Sequence, residues 1–280
     1  MKMLVSLLVI TALVFADDEG CAETELLIYP DLPEQDDITL SIVNTWVVSW
    51  ASQCLGMDCW ESGGTMLIVF ASRNDVQLNS LDPATGTGGG TQNLDPVNIN
   101  CFGVVYNNEP GSPLWHTNDW SIPILYYTTD FLTWSVTPNP SGTAGRGMDF
   151  DGTDYWIANG EDGVYRFQPG VSQEAISLPE VPTQISGLTT FPYQGDVGLA
   201  VTTYNTHNIY FYSWDGSTMS YLGNAACPVS VSSSLGLAYC ATRNTIFWSY
   251  NSGNYSIAEF EFDIELSFEN ATWTEIKASF

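Results

Sequence analysis

Two aspartates, Asp58 and Asp149, occupy the same place in a recurring phrase, each two residues after a glycine that opens Gly-apolar-x-aromatic. Carboxylates brought together near an axis bind a hard cation such as calcium or share a proton, because like charges held close resist double ionisation. Two hydrated carboxylates too far apart to couple are the simpler reading. Asp149, Asp151 and Asp154 form a second set, spaced as hard-cation ligands often are. That run is too short for an EF-hand loop and also reads as an Asp-Gly hairpin turn. Arg146 directly precedes a repeat glycine, so it joins Asp58 and Asp149 as a channel candidate. No Gly-x-Ser-x-Gly elbow, phosphate loop, His-Glu-x-x-His or dinucleotide fingerprint is present. His116 and His207 stand alone, in loop-like or strand-edge contexts, without the signature of a catalytic triad. No catalytic residue is assigned, and no cofactor is expected, calcium being the one weak candidate.

Cys21, Cys54, Cys59, Cys101, Cys227 and Cys240 are the six cysteines. None forms Cys-x-x-Cys, and the spacings fit neither a zinc nor a haem pattern. An even count in an exported chain predicts at least two disulfides with open connectivity. Cys54 and Cys101 each precede a repeat glycine by two residues, and Cys227 and Cys240 bracket the entry to the last repeat, so these are the first pairs to test.

Export is read from the N-terminus. Lys2 precedes an apolar run from Met3 to Phe15, and Val14-Phe15-Ala16 offers a cleavage site before Asp17. The run is too short to span a bilayer. The expected organisation is a signal peptide over 1–16 and one domain over 17–280, secreted, periplasmic or extracellular. Six basic residues face 32 acidic ones, for a net charge of −26. Such a surface repels nucleic acid and anionic lipid and favours solubility, cations or basic partners. No nucleic-acid partner and no membrane insertion are expected; an extracellular protein or glycan, or self-assembly, remains. Asn254-Tyr255-Ser256 and Asn270-Ala271-Thr272 match the glycosylation acceptor pattern.

The elements that must position these residues follow from the phrase itself. It recurs at Gly56, Gly103, Gly147, Gly187 and Gly236, with spacings of 47, 44, 40 and 49. A period of that size marks stacked supersecondary units, and the intervening β-branched and aromatic runs are strands rather than helices. In the third copy, strands are predicted over 147–150, 155–159, 164–167 and 174–178, separated by Asp-Gly and Gly-rich turns. The fourth copy gives 197–204, 209–214 and 218–222, and the fifth gives 245–250, 256–262 and 272–276. The fold class is all-β: a β-propeller of four-stranded blades, with five clear repeats over 56–280. Residues 17–55 hold strand-like stretches at Leu26–Tyr29, 38–43 and 45–50, and form either a degenerate sixth blade or a segment that closes the ring.

The pattern resembles the secreted bacterial β-propellers whose blades read Gly-apolar-x-aromatic, Asp-Gly, Tyr-Trp. Thr128-Thr129-Asp130-Phe131-Leu132-Thr133-Trp134 and Ser213-Trp214-Asp215-Gly216-Ser217-Thr218 are similar to the Asp-box hairpins of sialidases, degenerate in both copies. That resemblance implies a structural turn between the third and fourth strands of a blade. The arginine clamp of a sialidase is missing, since only four arginines exist and the arginine-bearing N-terminal motif is absent. With no assembled site, the sequence favours a secreted, acidic, non-enzymatic binding or assembly protein. The alternative is a carbohydrate-active hydrolase or lyase using channel-mouth carboxylates such as Asp58 and Asp149.

The export reading has a direct test. N-terminal sequencing of the secreted protein is expected to begin at Asp17, and a sequence starting at Met1 would refute it.

Overall fold

The computed structural model describes residues 37–107, 114–158, 163–168, 172–182 and 184–265. All lie within the unit Gln35–Phe280. The first strand, β1 (Asp37–Val47), belongs to the last blade. Blade one is β2 (Met57–Ser62), β3 (Thr65–Ser72) and β4 (Gln77–Asp82), edged by the short β5 (Thr87–Gly88) and β6 (Gln92–Asn93), which both pair with β4. Blade two is β7 (Cys101–Asn107), β8 (Leu114–Asp119), β9 (Ile124–Thr128) and β10 (Ser135–Pro138). Blade three is β11 (Met148–Phe150), β12 (Tyr155–Ala158), β13 (Gly163–Gln168) and β14 (Ser172–Ser177). Blade four is β15 (Ile185–Tyr193), β16 (Asp196–Thr203), β17 (Asn208–Trp214) and β18 (Met219–Ala226). Blade five is β19 (Ser233–Cys240), β20 (Thr245–Asn251) and β21 (Tyr255–Glu265), with β1 outermost. Every pairing is antiparallel. No helix among the described residues is long and apolar enough to cross a membrane.

Each blade is covered on both faces, which is why inner strands such as β19 are buried almost throughout instead of alternating. The core is therefore divided among the gaps between blades. Trp156, Val201 and Tyr212 pack between blades three and four, and Phe191, Phe211, Trp248 and Phe260 between four and five. Met57, Phe70 and Phe247 fill the gap between blades five and one, so the ring is closed. Val69, Phe102 and Trp115 join one to two, and Val105, Tyr155 and Phe167 join two to three.

The five repeat glycines meet at the innermost edge. A Cβ on Gly56 would lie 2.7 Å from the Cα of Gly103, one on Gly147 2.9 Å from the Cα of Gly187, and one on Gly236 2.7 Å from the Cα of Gly56. On Gly103 and Gly187 it would collide with the carbonyls of Arg146 and Leu235, beside the next glycine in each case. Backbone thus packs on backbone around the axis, and only glycine permits the approach. Polar side chains of the second strands lock the contact. Asn118 accepts from Gly103 N–H at 2.9 Å and donates to the carbonyl of Arg146; Ser249 accepts from Gly236 N–H at 2.7 Å and donates to the carbonyl of Leu55 at 2.6 Å. Each spans a blade boundary.

Ring closure resolves the reading of the N-terminal segment. It is no sixth blade: the stretches expected at 38–43 and 45–50 are one strand, β1, paired with β21 from Asp37↔Glu265 to Val47↔Ser256. The break between the two stretches is a register shift between Ile42 and Asn44. The strand expected at 272–276 and that at Leu26–Tyr29 lie outside the described residues. Closure is pinned by Glu259 of β21, fully buried, whose carboxylate takes Arg243 Nε at 2.5 Å and Nη2 at 2.8 Å, Thr245 Oγ1 at 2.9 Å, and Asn44 Nδ2 of β1 at 3.0 Å. A buried charge with this many donors is satisfied.

The glycine ring yields a contrast that tests the geometry. Gly147→Val should lower the unfolding free energy by about 3 kcal/mol, the upper end of ordinary overpacking, because the opposing atoms are backbone. Gly90→Ala, where an added Cβ meets nothing within 4 Å, should stay within about 0.5 kcal/mol of wild type. Urea unfolding midpoints measure both, and equal effects at the two positions would reject close packing at the axis.

Candidate functional site

The inner strands carry a second regularity just beyond their glycines. The side chain two residues after the glycine faces the amide three residues after the glycine of the next blade. Asp58 Oδ2 accepts from Tyr106 N–H at 2.6 Å. Asp149 Oδ2 accepts from Thr190 N–H, and Thr189 Oγ1 from Tyr239 N–H at 2.8 Å. Blades two and five hold Val105 and Ala238 there, which cannot accept. The amides they leave, Phe150 and Cys59, turn to the other oxygens of the same aspartates: Phe150 N–H to Asp149 Oδ1 at 2.7 Å and Cys59 N–H to Asp58 Oδ1 at 2.6 Å. Three acceptor side chains thereby serve all five inner amides. Asp149 Oδ2 also receives the hydroxyls of Thr190 at 2.8 Å and Thr189 at 3.1 Å.

These residues floor a cavity of about 590 Å³ at the C-terminal ends of the inner strands, to which all five blades contribute. Its acidic lining is Asp58, Glu61, Asp149, Asp151 and Asp196; its aromatic lining is Tyr106, Phe150, Phe191 and Tyr239. Among the described residues, no lysine, arginine or histidine lines it. Burial raises the pKa of Asp58, and the charge of Asp149 raises it further, against the pull of two amides. Burial also lifts Asp149 to about 6, despite its hydrogen bonds to Thr190, Phe150 and Thr189. Low-dielectric surroundings outweigh the donors, and the two carboxylates feel each other.

Asp58 and Asp149 therefore meet at the mouth, whereas Arg146 does not join them. It sits at the other end of the inner strand, over the ring of Phe102 at 5.6 Å, donating to Gln184 Oε1 at 3.0 Å. Asp149, Asp151 and Asp154 do not converge on a cation position. Asp151 caps its own turn, accepting Thr153 and Asp154 N–H at 2.8 Å and Trp156 Nε1–H at 2.7 Å, while Asp154 pairs with Arg166 at 2.6 Å. Asp130 and Asp215 act alike: each accepts the amides two and three residues on, at 2.7–2.8 Å, in the hairpins joining β9 to β10 and β17 to β18. Those aspartates are turn caps. His116 is no loop residue; it lies in β8, buried, its pKa lowered to about 4 by burial.

The expected disulfides are absent among the described residues: Cys54, Cys59, Cys101, Cys227 and Cys240 are all free thiols, and Cys21 lies outside that set. Cys54 and Cys101 pack into different gaps, between blades five and one and between one and two. Equivalent positions are related by rotation, so their side chains point the same way round the ring and never face each other. Cys227 packs between blades four and five, and Cys240 between five and one. The cysteines that do approach are Cys59 and Cys240, offset by one position in their repeats; with Glu61 their ligating atoms lie within 4.8 Å of one another. The signal for this was the offset register across a blade boundary, which no repeat alignment at equal positions reveals.

The Asp149 shift fixes a pH dependence. Its folded value of about 6 exceeds the ordinary 3.8, so between those values the folded state holds a proton that the unfolded chain releases. The resulting stabilisation is fully present below about pH 4 and is lost as pH rises through about 6. Asp149→Asn lacks this contribution, whereas His116 titrates in both proteins. The stability advantage of wild type over D149N should shrink by on the order of 3 kcal/mol between pH 4 and pH 7. Thermal melts across that range test it, and parallel pH profiles would reject the raised value.

No family model and no curated protein matches this sequence. Solved structures do match in shape. A glutaminyl cyclase from Myxococcus xanthus superposes with a TM-score of 0.57 at 14% identity, over 82% of this chain and 99% of that one. A streptogramin B lyase gives 0.49 at 10% identity, over 81% and 98%, and a virginiamycin B lyase from Staphylococcus aureus gives 0.47 at 12%, over 84% and 76%. At these identities the first likeness is one of fold: the chain is an all-β, five-bladed β-propeller.

Proposed function

We propose that this is a non-enzymatic binding protein, working outside the cytoplasm, whose channel mouth takes a ligand presenting a cationic amine on an apolar or aromatic body, such as an exposed basic side chain of a protein. The observation that carries the reading is the lining of the 590 Å³ mouth: among the described residues, five carboxylates, four aromatic rings and no basic side chain. An ammonium group is attracted there by unneutralised charge and by ring faces, and the net charge of −26 draws cations toward the protein. Against catalysis stands the use already made of Asp58 and Asp149. Their oxygens are bound by main-chain amides of two blades each, so both carboxylates serve to hold the ring together.

The glycoside hydrolase or lyase reading draws on one observation, the lift of Asp149 to about 6, a value suited to a general acid near neutral pH. The two readings separate in one pair of measurements. Calorimetric titration with benzylamine should give heat that benzyl alcohol does not, weakened by salt and by Asp196→Asn, whose exposed carboxylate lines the mouth. Equal responses to amine and alcohol, or none to either, would defeat the amine-binding reading. Release of reducing sugar from a polysaccharide panel, abolished in D149N, would establish the enzyme instead.

A further inference from the structure

At the boundary between blades five and one, four soft or acidic donors converge from three strands. Cys59 and Glu61 are two apart on β2 and so share a face. Met66 on β3 is directly opposite Glu61 in the strand register. Cys240 ends β19 of the neighbouring blade. Cys240 Sγ lies 3.1 Å from Glu61 Oε1 and 2.8 Å from Met66 Sδ, and Cys59 Sγ lies 3.9 Å from Glu61 Oε1. Two thiolates on one tetrahedral ion, each about 2.3 Å from it, stand about 3.8 Å apart, and here the thiol and carboxylate atoms all fall within 4.8 Å of one another.

From this geometry we infer a metal site that binds one thiophilic d10 cation, Zn(II) or Cu(I), through Cys59 Sγ, Cys240 Sγ and either Glu61 Oε1 or Met66 Sδ. The site borders the amine-binding mouth and shares Glu61 with its lining, but its two thiols take no part in that reading. Donor chemistry selects the ion class: paired thiolates with a thioether or carboxylate suit Cu(I) and Zn(II), and suit calcium poorly. Glu61 is oriented from behind, its Oε1 accepting Thr242 Oγ1–H at 2.7 Å and Thr242 N–H at 3.3 Å, the kind of supporting contact that fixes a ligand. Arg243, the neighbouring cation, is paired with Glu259 and makes no ion pair with Glu61. Cys59 and Glu61 line the mouth cavity, which gives the ion a way in. Binding displaces both thiol protons and ties blade five to blade one.

The experiment is titration of the reduced, metal-free full-length protein with Zn(II), and separately with Cu(I), in competition with a chromophoric chelator. Bound metal is counted by elemental analysis and proton release is followed alongside. Uptake of one equivalent of either ion by wild type and by Cys227→Ser, with none by Cys59→Ser/Cys240→Ser, is expected. Thr242→Val should weaken affinity by about 10–100-fold. Should the double variant fail to fold, Co(II) loaded into wild type must show a sulfur-to-metal charge-transfer band. Absence of uptake by reduced wild type, uptake unchanged in the double variant, no such band, or a Cys59–Cys240 disulfide in the native protein would each overturn the site.

Discussion

Close approach of main chain to main chain at the axis is the constraint on which the rest of the molecule rests. Five inner strands reach the centre of a five-membered ring only if nothing projects from them at one level, and Gly56, Gly103, Gly147, Gly187 and Gly236 meet that demand in turn. Once the glycines are seated, the residues on either side are positioned without further choice. Those before the glycine present carbonyls to the preceding blade, where Asn118 and Ser249 capture those of Arg146 and Leu55. Those two and three after it form the floor of the mouth. The large aromatics lie farther out, where the gaps between blades widen.

The same constraint explains why two carboxylates are buried at a place where charge is costly. Amides three residues after each glycine turn toward the channel and need acceptors, since an unpaired buried N–H costs about as much as a lost hydrogen bond. Asp58, Asp149 and Thr189 supply them across three of the blade boundaries, and the two aspartates use their second oxygens for the amides that Val105 and Ala238 leave. The price is a pair of acids whose ionisation is resisted by burial and by each other. A structural solution thus generates the negative, titratable floor on which ligand recognition can draw.

Closure concentrates polar groups within blade five, and others gather at its boundary with blade one. β1 arrives from the N-terminal side of the chain to complete the last sheet, held by its long pairing with β21 and by Asn44 on the buried Glu259. On the inner side of the same boundary stand Cys59, Cys240, Glu61 and Met66. The ring is closed inside blade five, where β1 and β21, distant in sequence, pair, and the chain then runs from β1 to β2 across the boundary with blade one. Cross-boundary contacts at that place stabilise the whole circle.

The sequence by itself determined the repeat, the glycines and most of the strands within the described repeats, because those depend on local spacing and on steric demands each repeat meets separately. The turn aspartates Asp130, Asp151 and Asp215 were legible for the same reason: each caps amides two and three residues away. Asp58 and Asp149 could be singled out by their shared position, though one of the two amides each binds belongs to the next blade. Only the tertiary structure decided that Asp37–Val47 is the outer strand of blade five, that Arg146 faces away from the acids, and that Cys59 meets Cys240 while Cys54 and Cys101 do not. Side-chain contacts such as Cys59 with Cys240 join unequal repeat positions across a blade boundary, and the contacts that close the ring join strands far apart in the chain. Neither relation is written in the period of the repeat.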